Sequence, residues 1–133
     1  ANTEALRPVM TLTSAVISLR DLAPGDSVGY AATWTAERPS RIATISIGYG
    51  DGYPRHAPTG TPVLVAGHRT PLVGRVSMDM LTVDLTDLPG SGLGSAVTLW
   101  GDGLNASEVA SWTDSIPYQL FCNLNRVPRH YRD

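Results

Sequence analysis

Three stretches carry residues that could do chemistry. The first is S-V-G-Y-A-A-T-W, Ser27 to Trp34, in which Tyr30 stands between Gly29 and the pair Ala31-Ala32. Small neighbours leave a large phenol uncovered locally, so a group from elsewhere must pack on the ring or use its hydroxyl. A half-buried strand tyrosine with its hydroxyl in water fits the pattern, and so does an acid-base group. The second stretch is G-Y-G-D-G-Y-P-R, Gly48 to Arg55. Its glycines permit close backbone approach by a ligand, and Tyr49, Asp51, Tyr53 and Arg55 offer polar tips, as a phosphate cradle would. The glycine spacing differs from the dinucleotide and P-loop fingerprints, and a hairpin turn at Asp51-Gly52 fits equally. The third is G-R-V-S-M-D-M, Gly74 to Met80, where a serine, an acid and two thioethers interrupt strand alternation. Methionines in such a place commonly fill a core, and Asp79 commonly holds a loop by accepting from backbone N–H groups.

One absence limits what these stretches can do alone. The ten basic residues are all arginine, so the chain contains no lysine. Chemistry that needs a lysine Schiff base, such as pyridoxal phosphate catalysis, cannot be completed by this chain by itself. A net charge of -2 without any basic run gives no footing to nucleic acid or to a membrane surface. Apolar runs such as Thr61 to Val65 are far too short to span a bilayer. Cys122 has no partner for an internal disulfide and no N-terminal signal peptide is evident, which points to a reducing cytoplasm. Asn105-Ala106-Ser107 matches a glycosylation sequon and, without a secretion signal, is read as chance. No residue is assigned to a metal.

The elements that must position these residues are mostly strands. At 133 residues with 42% apolar content the chain suits one domain with a real core. Residues 1–8 are polar and irregular and begin without methionine, as a linker or the edge of a fragment would; the domain proper is expected over 9–133. Val9 to Leu19 reads as a strand with one wet face, Ala23-Pro24-Gly25-Asp26 as a turn, and the Tyr30 stretch as the next strand. Arg41 to Gly48 alternates through Ile42, Thr44, Ile45 and Ile47 into the glycine loop. Thr61 to Ala66 is a short strand, His68 to Pro71 a turn, Leu72 to Leu85 a long β-branched stretch around S-M-D-M, and Ala96 to Trp100 a further strand. Thirteen glycines and ten prolines between short runs predict an antiparallel barrel-like or sandwich domain. Asn105 to Glu108 has capping-box spacing and Ser115-Ile116-Pro117 a helix-start pattern, so two short helices follow near the C-terminus.

V-G-Y-A-A-T-W, G-Y-G-D-G-Y-P-R, G-R-V-S-M-D-M and I-P-Y-Q-L-F-C occur in that order, and together they make the chain resemble the C-terminal domain of bacterial alanine racemase from about Leu6 to Tyr131. The resemblance implies an enzyme that interconverts L- and D-alanine, feeding D-alanine biosynthesis for peptidoglycan precursors. It also implies pyridoxal phosphate held on a lysine of an N-terminal β/α barrel absent from this chain, and a homodimer in which this domain reaches over the partner's active site. Tyr30 then matches the catalytic tyrosine, exchanging the Cα proton on one face while the barrel lysine serves the other. A tyrosine of ordinary pKa about 10 needs nearby positive charge or hydrogen bonds for that role. Met78 would offer its backbone N–H to the substrate carboxylate, Tyr49 would line the substrate site, Arg55 and Arg75 would sit further out in the access channel, and Tyr118 would reach the cofactor phosphate. Arg55 and Arg75 could instead pair with acids such as Asp51 or Asp79. Trp34 stands where many relatives carry tyrosine and Ser77 where many carry cysteine, changes that could alter channel polarity and leave a racemase of serine open. A free-standing, non-catalytic β binding domain is the alternative, and the isolated fragment is expected to be inactive for want of a lysine.

Overall fold

The computed structural model describes residues 11–28, 34–101 and 103–113. Six strands close into an antiparallel barrel: β1 (Leu12–Leu22), β4 (Ser40–Ile45), β7 (Leu81–Asp84), β6 (His68–Val73), β5 (Pro62–Val65) and β8 (Ala96–Trp100), in that order around the wall. Closure removes the sheet edges that an open antiparallel array would leave unpaired. β1 closes the ring by pairing Leu12 to Ala15 with β8 and Val16 to Leu22 with β4, and its register against β4 shifts between Val16 and Ser18, just past the change of partner. Between the sandwich and barrel readings of the sequence, the barrel is the one adopted. A separate two-stranded ribbon, β2 (Ser27–Val28) with β3 (Trp34–Thr35), stands off the barrel.

The alternation in β4 shows how one strand feeds two cores. Ala43 and Ile45 point into the barrel with Leu72, Leu81, Val83, Val97, Leu99 and Trp100, whereas Ile42 joins a second cluster of Leu22, Val28, Ala36 and Val73. That second cluster sits under the β2–β3 ribbon, with Trp34 packed on it.

Three expectations for the strands change. β1 runs on to Leu22, directly before the Ala23 to Asp26 turn, whose Asp26 carboxylate accepts the Ala23 N–H at 2.9 Å. His68 to Pro71 is part of strand β6 rather than a turn, with Val65 paired to His68 and Pro62 to Pro71. The reversal comes at Ala66-Gly67, where φ is +51° and +83°. Two successive residues with positive φ make the tight hairpin whose twist suits its strands, and alanine at the first hides the signal that Asn-Gly would give. β6 also ends at Val73, so the stretch read as Leu72 to Leu85 divides into two strands around the loop 74–80.

After β8 the chain forms helix α1 (Ala106–Thr113). Asn105 caps it, its side-chain oxygen accepting the Ser107 N–H at 2.7 Å, so the sequon asparagine is a capping residue. The capping box itself does not form: the Glu108 N–H donates to the Asn105 backbone carbonyl at 3.0 Å, and the Glu108 carboxylate accepts from Arg69 of β6, which also holds its pKa below the ordinary carboxylate value. The second expected helix, from Ser115, lies outside the described residues.

Candidate functional site

The glycine loop and the S-M-D-M loop are joined through their backbones. The Tyr49 N–H donates to the Ser77 carbonyl at 3.0 Å and the Gly50 N–H to the Met78 carbonyl at 2.9 Å. This approach requires a glycine: a Cβ at Gly48 would lie 2.2 Å from the Ser77 carbonyl oxygen and 2.6 Å from Met78 backbone atoms. Tyr49–Asp51 form a single 3-10 turn, ended by Gly52 at φ +105°. The Asp51 carboxylate accepts the Gly48 N–H at 3.1 Å, drawing the turn closed. Asp51-Gly52 is therefore not a hairpin turn.

The same hydrogen bonds decide the phosphate question. The N–H groups of Gly48 through Tyr53 go to Asp51, Ser77, Met78, Gly48, Tyr49 and Gly48 respectively. An anion cradle needs such groups directed outward and unspent. The backbone N–H groups of this loop therefore do not form a phosphate cradle, and close backbone approach here serves the neighbouring loop.

Tyr53 also departs from expectation. Its ring is buried in the barrel core, 1% exposed, and stacks on Trp100 with centroids 5.9 Å apart and planes 16° from parallel. Its hydroxyl and the Trp100 indole nitrogen are both buried and have no hydrogen-bond partner among the described residues, and burial pushes the phenol pKa well above the ordinary tyrosine value. Tyr53 is the anchor of the loop, not a polar tip.

Tyr49, Arg55 and Arg75 do come together. The Arg55 guanidinium lies over the Tyr49 ring, 4.8 Å from its centroid, a cation–π contact that orders both side chains. These three line an open groove of about 460 Å³ with His56, Thr59 and Gly74. Among the described residues neither arginine pairs with Asp51 or Asp79, so both cationic heads remain available at the rim. His56 and Thr59 had no motif to announce them. Thr59 belongs because its hydroxyl accepts the Gly74 N–H at 3.0 Å, bringing two distant segments together.

Met78 and Met80 are exposed, at 50% and 44%, so neither fills the core. Among the described residues the Met78 N–H donates no hydrogen bond, while its carbonyl is held by Gly50. The loop is kept in shape by Ser77 rather than by Asp79: the Ser77 hydroxyl donates to the Met80 carbonyl at 2.8 Å and accepts the Met80 N–H at 3.1 Å. Ser77 thus spends its hydroxyl locally. Trp34 lies outside the groove, packed on the second apolar cluster, so it does not set groove polarity. Tyr30 and Tyr118 lie outside the described residues. So does the strand expected around Tyr30, except for its ends in β2 and β3. Among the described residues no group of three His, Cys, Asp or Glu side chains could hold a metal ion.

Comparison with known proteins matches residues 9–131 to the family model described as alanine racemase, C-terminal domain. The chain is 64% identical over 126 residues to an alanine racemase of Pseudomonas fluorescens, covering 95% of this chain and 35% of that protein. It is 60% identical over 131 residues to one of Pseudomonas taetrolens, covering 98% and 37% respectively. Among solved structures, the biosynthetic alanine racemase of Pseudomonas aeruginosa superposes with a TM-score of 0.88 at 58% identity, over 90% of this chain and 34% of that one. A Bartonella henselae alanine racemase with covalently bound pyridoxal phosphate superposes with a TM-score of 0.84 at 37% identity, over the same shares, 90% and 34%. The chain spans about a third of the length of these relatives.

Proposed function

The chain belongs to the family of alanine racemase C-terminal domains, and from that premise we propose that it is the part of a pyridoxal phosphate-dependent alanine racemase that completes the active site of a partner subunit. Residues 1–8 then lead from the N-terminal barrel and 9–133 form the domain, in a cytoplasmic homodimer. When bound, pyridoxal phosphate supplies the electron sink that makes a Cα proton of an amino acid removable. It would be held by a barrel lysine that this chain lacks, and Tyr118 would contact its phosphate.

The residues of this chain take the remaining tasks. The observation that carries the reading is the joining of the two loops: Gly48 lets them touch backbone to backbone, and the exposed Met78, whose N–H donates no hydrogen bond among the described residues, follows in the loop that starts from Gly74, Arg75 and Val76 of the groove. A backbone donor of that kind is suited to the substrate carboxylate, and two guanidinium groups at the rim with no carboxylate partner among the described residues favour the approach of an anion. Tyr30 moves the Cα proton on one face of the substrate; general acid-base groups contribute typically 10²–10⁴-fold in rate.

The test is interconversion of L- and D-alanine by the full-length enzyme, with serine as the competing substrate, against Tyr30→Phe. Loss of roughly 10²–10⁴-fold is expected, with alanine preferred, and no turnover by the 133-residue chain alone with added pyridoxal phosphate. Full racemisation by Tyr30→Phe in both directions would end the assignment of Tyr30.

A further inference from the structure

One side of the barrel presents large apolar side chains to solvent. Among the described residues Ile17 and Leu93, 52% and 68% exposed, lie on it together with Met78 and Met80. The strand register brings them near one another. On one side Val16 bonds to the turn 92–95, its N–H donating to the Ser95 carbonyl at 3.1 Å and its carbonyl accepting the Gly94 N–H at 3.0 Å. On the other side Val16 pairs with Ile45, and Ile45 with Leu81, which directly follows Met80. Adjacent strands lie about 4.8 Å apart, so the row from Ser95 to Leu81 spans roughly 15 Å. Val16, Ile45 and Leu81 belong to the barrel core, which leaves their chain neighbours Ile17, at the register shift of β1, and Met80 on the outside.

Folding of this domain does not call for these residues. Leu93 sits at the tip of a turn closed by the Ser95 N–H on the Gly92 carbonyl at 3.0 Å, a place where a small polar residue serves as well. Charge is missing from the same side. Residues 11–19, 42–50 and 88–101 contain no charged side chain, although 17% of the chain is charged; Asp79, between the two methionines, stands at the margin. Farther along, the same strands carry Arg20, Asp21, Arg41 and Asp84. The apolar outer surface there, the satellite cluster of Leu22, Ile42 and Val73, is covered by the β2–β3 ribbon through Val28 and Ala36. The chain thus covers its outer apolar surface in one place and leaves it open in the other. An open surface rich in apolar side chains, poor in charge and flanked by methionines has the composition of an interface core.

We propose that this face docks a second copy of the full-length protein, with Ile17 and Leu93 inside the contact and the Met78 loop at its edge; this rests on the reading of the chain as the part that completes a partner subunit's active site. The occupant follows from continuity and size. On that reading Met78 meets the partner's substrate, so the partner is seated on the loop that ends the row. The chain covers 35% of the Pseudomonas fluorescens relative, so on the order of 200 residues lie outside the matched part, enough for a body with a radius of gyration of about 16 Å. A body of that size resting on the Met78 loop also covers a row of about 15 Å.

The experiment compares Leu93→Glu, Ile17→Glu and Leu93→Ala with the wild type in the full-length, pyridoxal phosphate-loaded enzyme, by sedimentation velocity over a dilution series and by thermal melting. In a two-fold dimer each substitution enters both copies of the contact. Each glutamate is expected to raise the dimer dissociation constant on the order of 10- to 100-fold or more, because it places an unpaired charge in an apolar contact. Leu93→Ala, which removes apolar area without adding charge, should act in the same direction and less. A dimer left intact by both glutamates overturns the proposal. If that intact dimer also melts earlier in both variants, the face packs within its own subunit instead. A wild type that sediments as an active monomer ends the reading of a shared active site, and the docking face falls with it. Should Ile17→Glu yield no soluble enzyme, Ile17→Thr, which keeps the β-branched side chain, is read by the same criteria.

Discussion

The glycine loop and the β2–β3 ribbon are held by opposite means. The Gly48–Arg55 loop is fixed by backbone: its N–H groups bind within the loop and to the Ser77–Met78 strip, and one aromatic residue, Tyr53, pins it in the barrel core. The β2–β3 hairpin has little backbone pairing and is fixed by what its side chains bury against the outside of the barrel. Backbone locking leaves almost no tolerance for an added atom, whereas side-chain anchoring is graded and can be weakened by one methyl at a time.

The comparison breaks most visibly at Gly48. A Cβ 2.2 Å from a backbone carbonyl oxygen must force the two loops apart, so Gly48→Ala is expected to cost about 3 kcal/mol or more in chemical denaturation, in the range of severe overpacking. Wild-type stability for this variant would show that the loops separate cheaply. A smaller effect is expected at Val28, 4% exposed in the satellite cluster: Val28→Ala should cost about 2 kcal/mol. Hydrogen exchange should place that loss in the ribbon, with amides at Ser27, Val28, Thr35 and Ala36 exchanging faster and those of β5 and β7 unchanged. Uniform acceleration across the barrel would mean that the two apolar clusters are one cooperative unit.

The smallest effect has the opposite sign. The buried Tyr53 hydroxyl has no partner among the described residues, so Tyr53→Phe removes an unsatisfied polar group while keeping the stack on Trp100, and about 1 kcal/mol of added stability is expected. A loss of stability would show that the hydroxyl finds a partner in solution. Tyr53 in the wild type should also remain un-ionised to higher pH than an exposed tyrosine, because burial raises its pKa. A pKa raised in the fold makes ionisation of this group favour unfolding, so its contribution to stability is complete below the ordinary tyrosine pKa and declines as pH rises above it.

Much of this protein could be read from local pattern. Alternation through Ile42 and Ile45 marked β4, Pro24-Gly25 marked the first turn, and Asn105 marked the start of α1, because strand period, turn chemistry and capping act over a few residues. Four ordered motifs were enough to place the chain in its family. What residues thirty apart do to one another had no such signature. Whether a tyrosine of the glycine loop faces solvent, as Tyr49 partly does, or fills the barrel, as Tyr53 does, depends on Trp100 arriving from β8. That the glycines at 48 and 50 serve Ser77 and Met78 rather than a phosphate, that Asp79 is not the loop's fastener, and that Trp34 packs outside the groove were all decided by closure of the barrel. Closure assigns each polar backbone group its partner and each apolar side chain its core. Those assignments are long-range, and no local run of residues contains them.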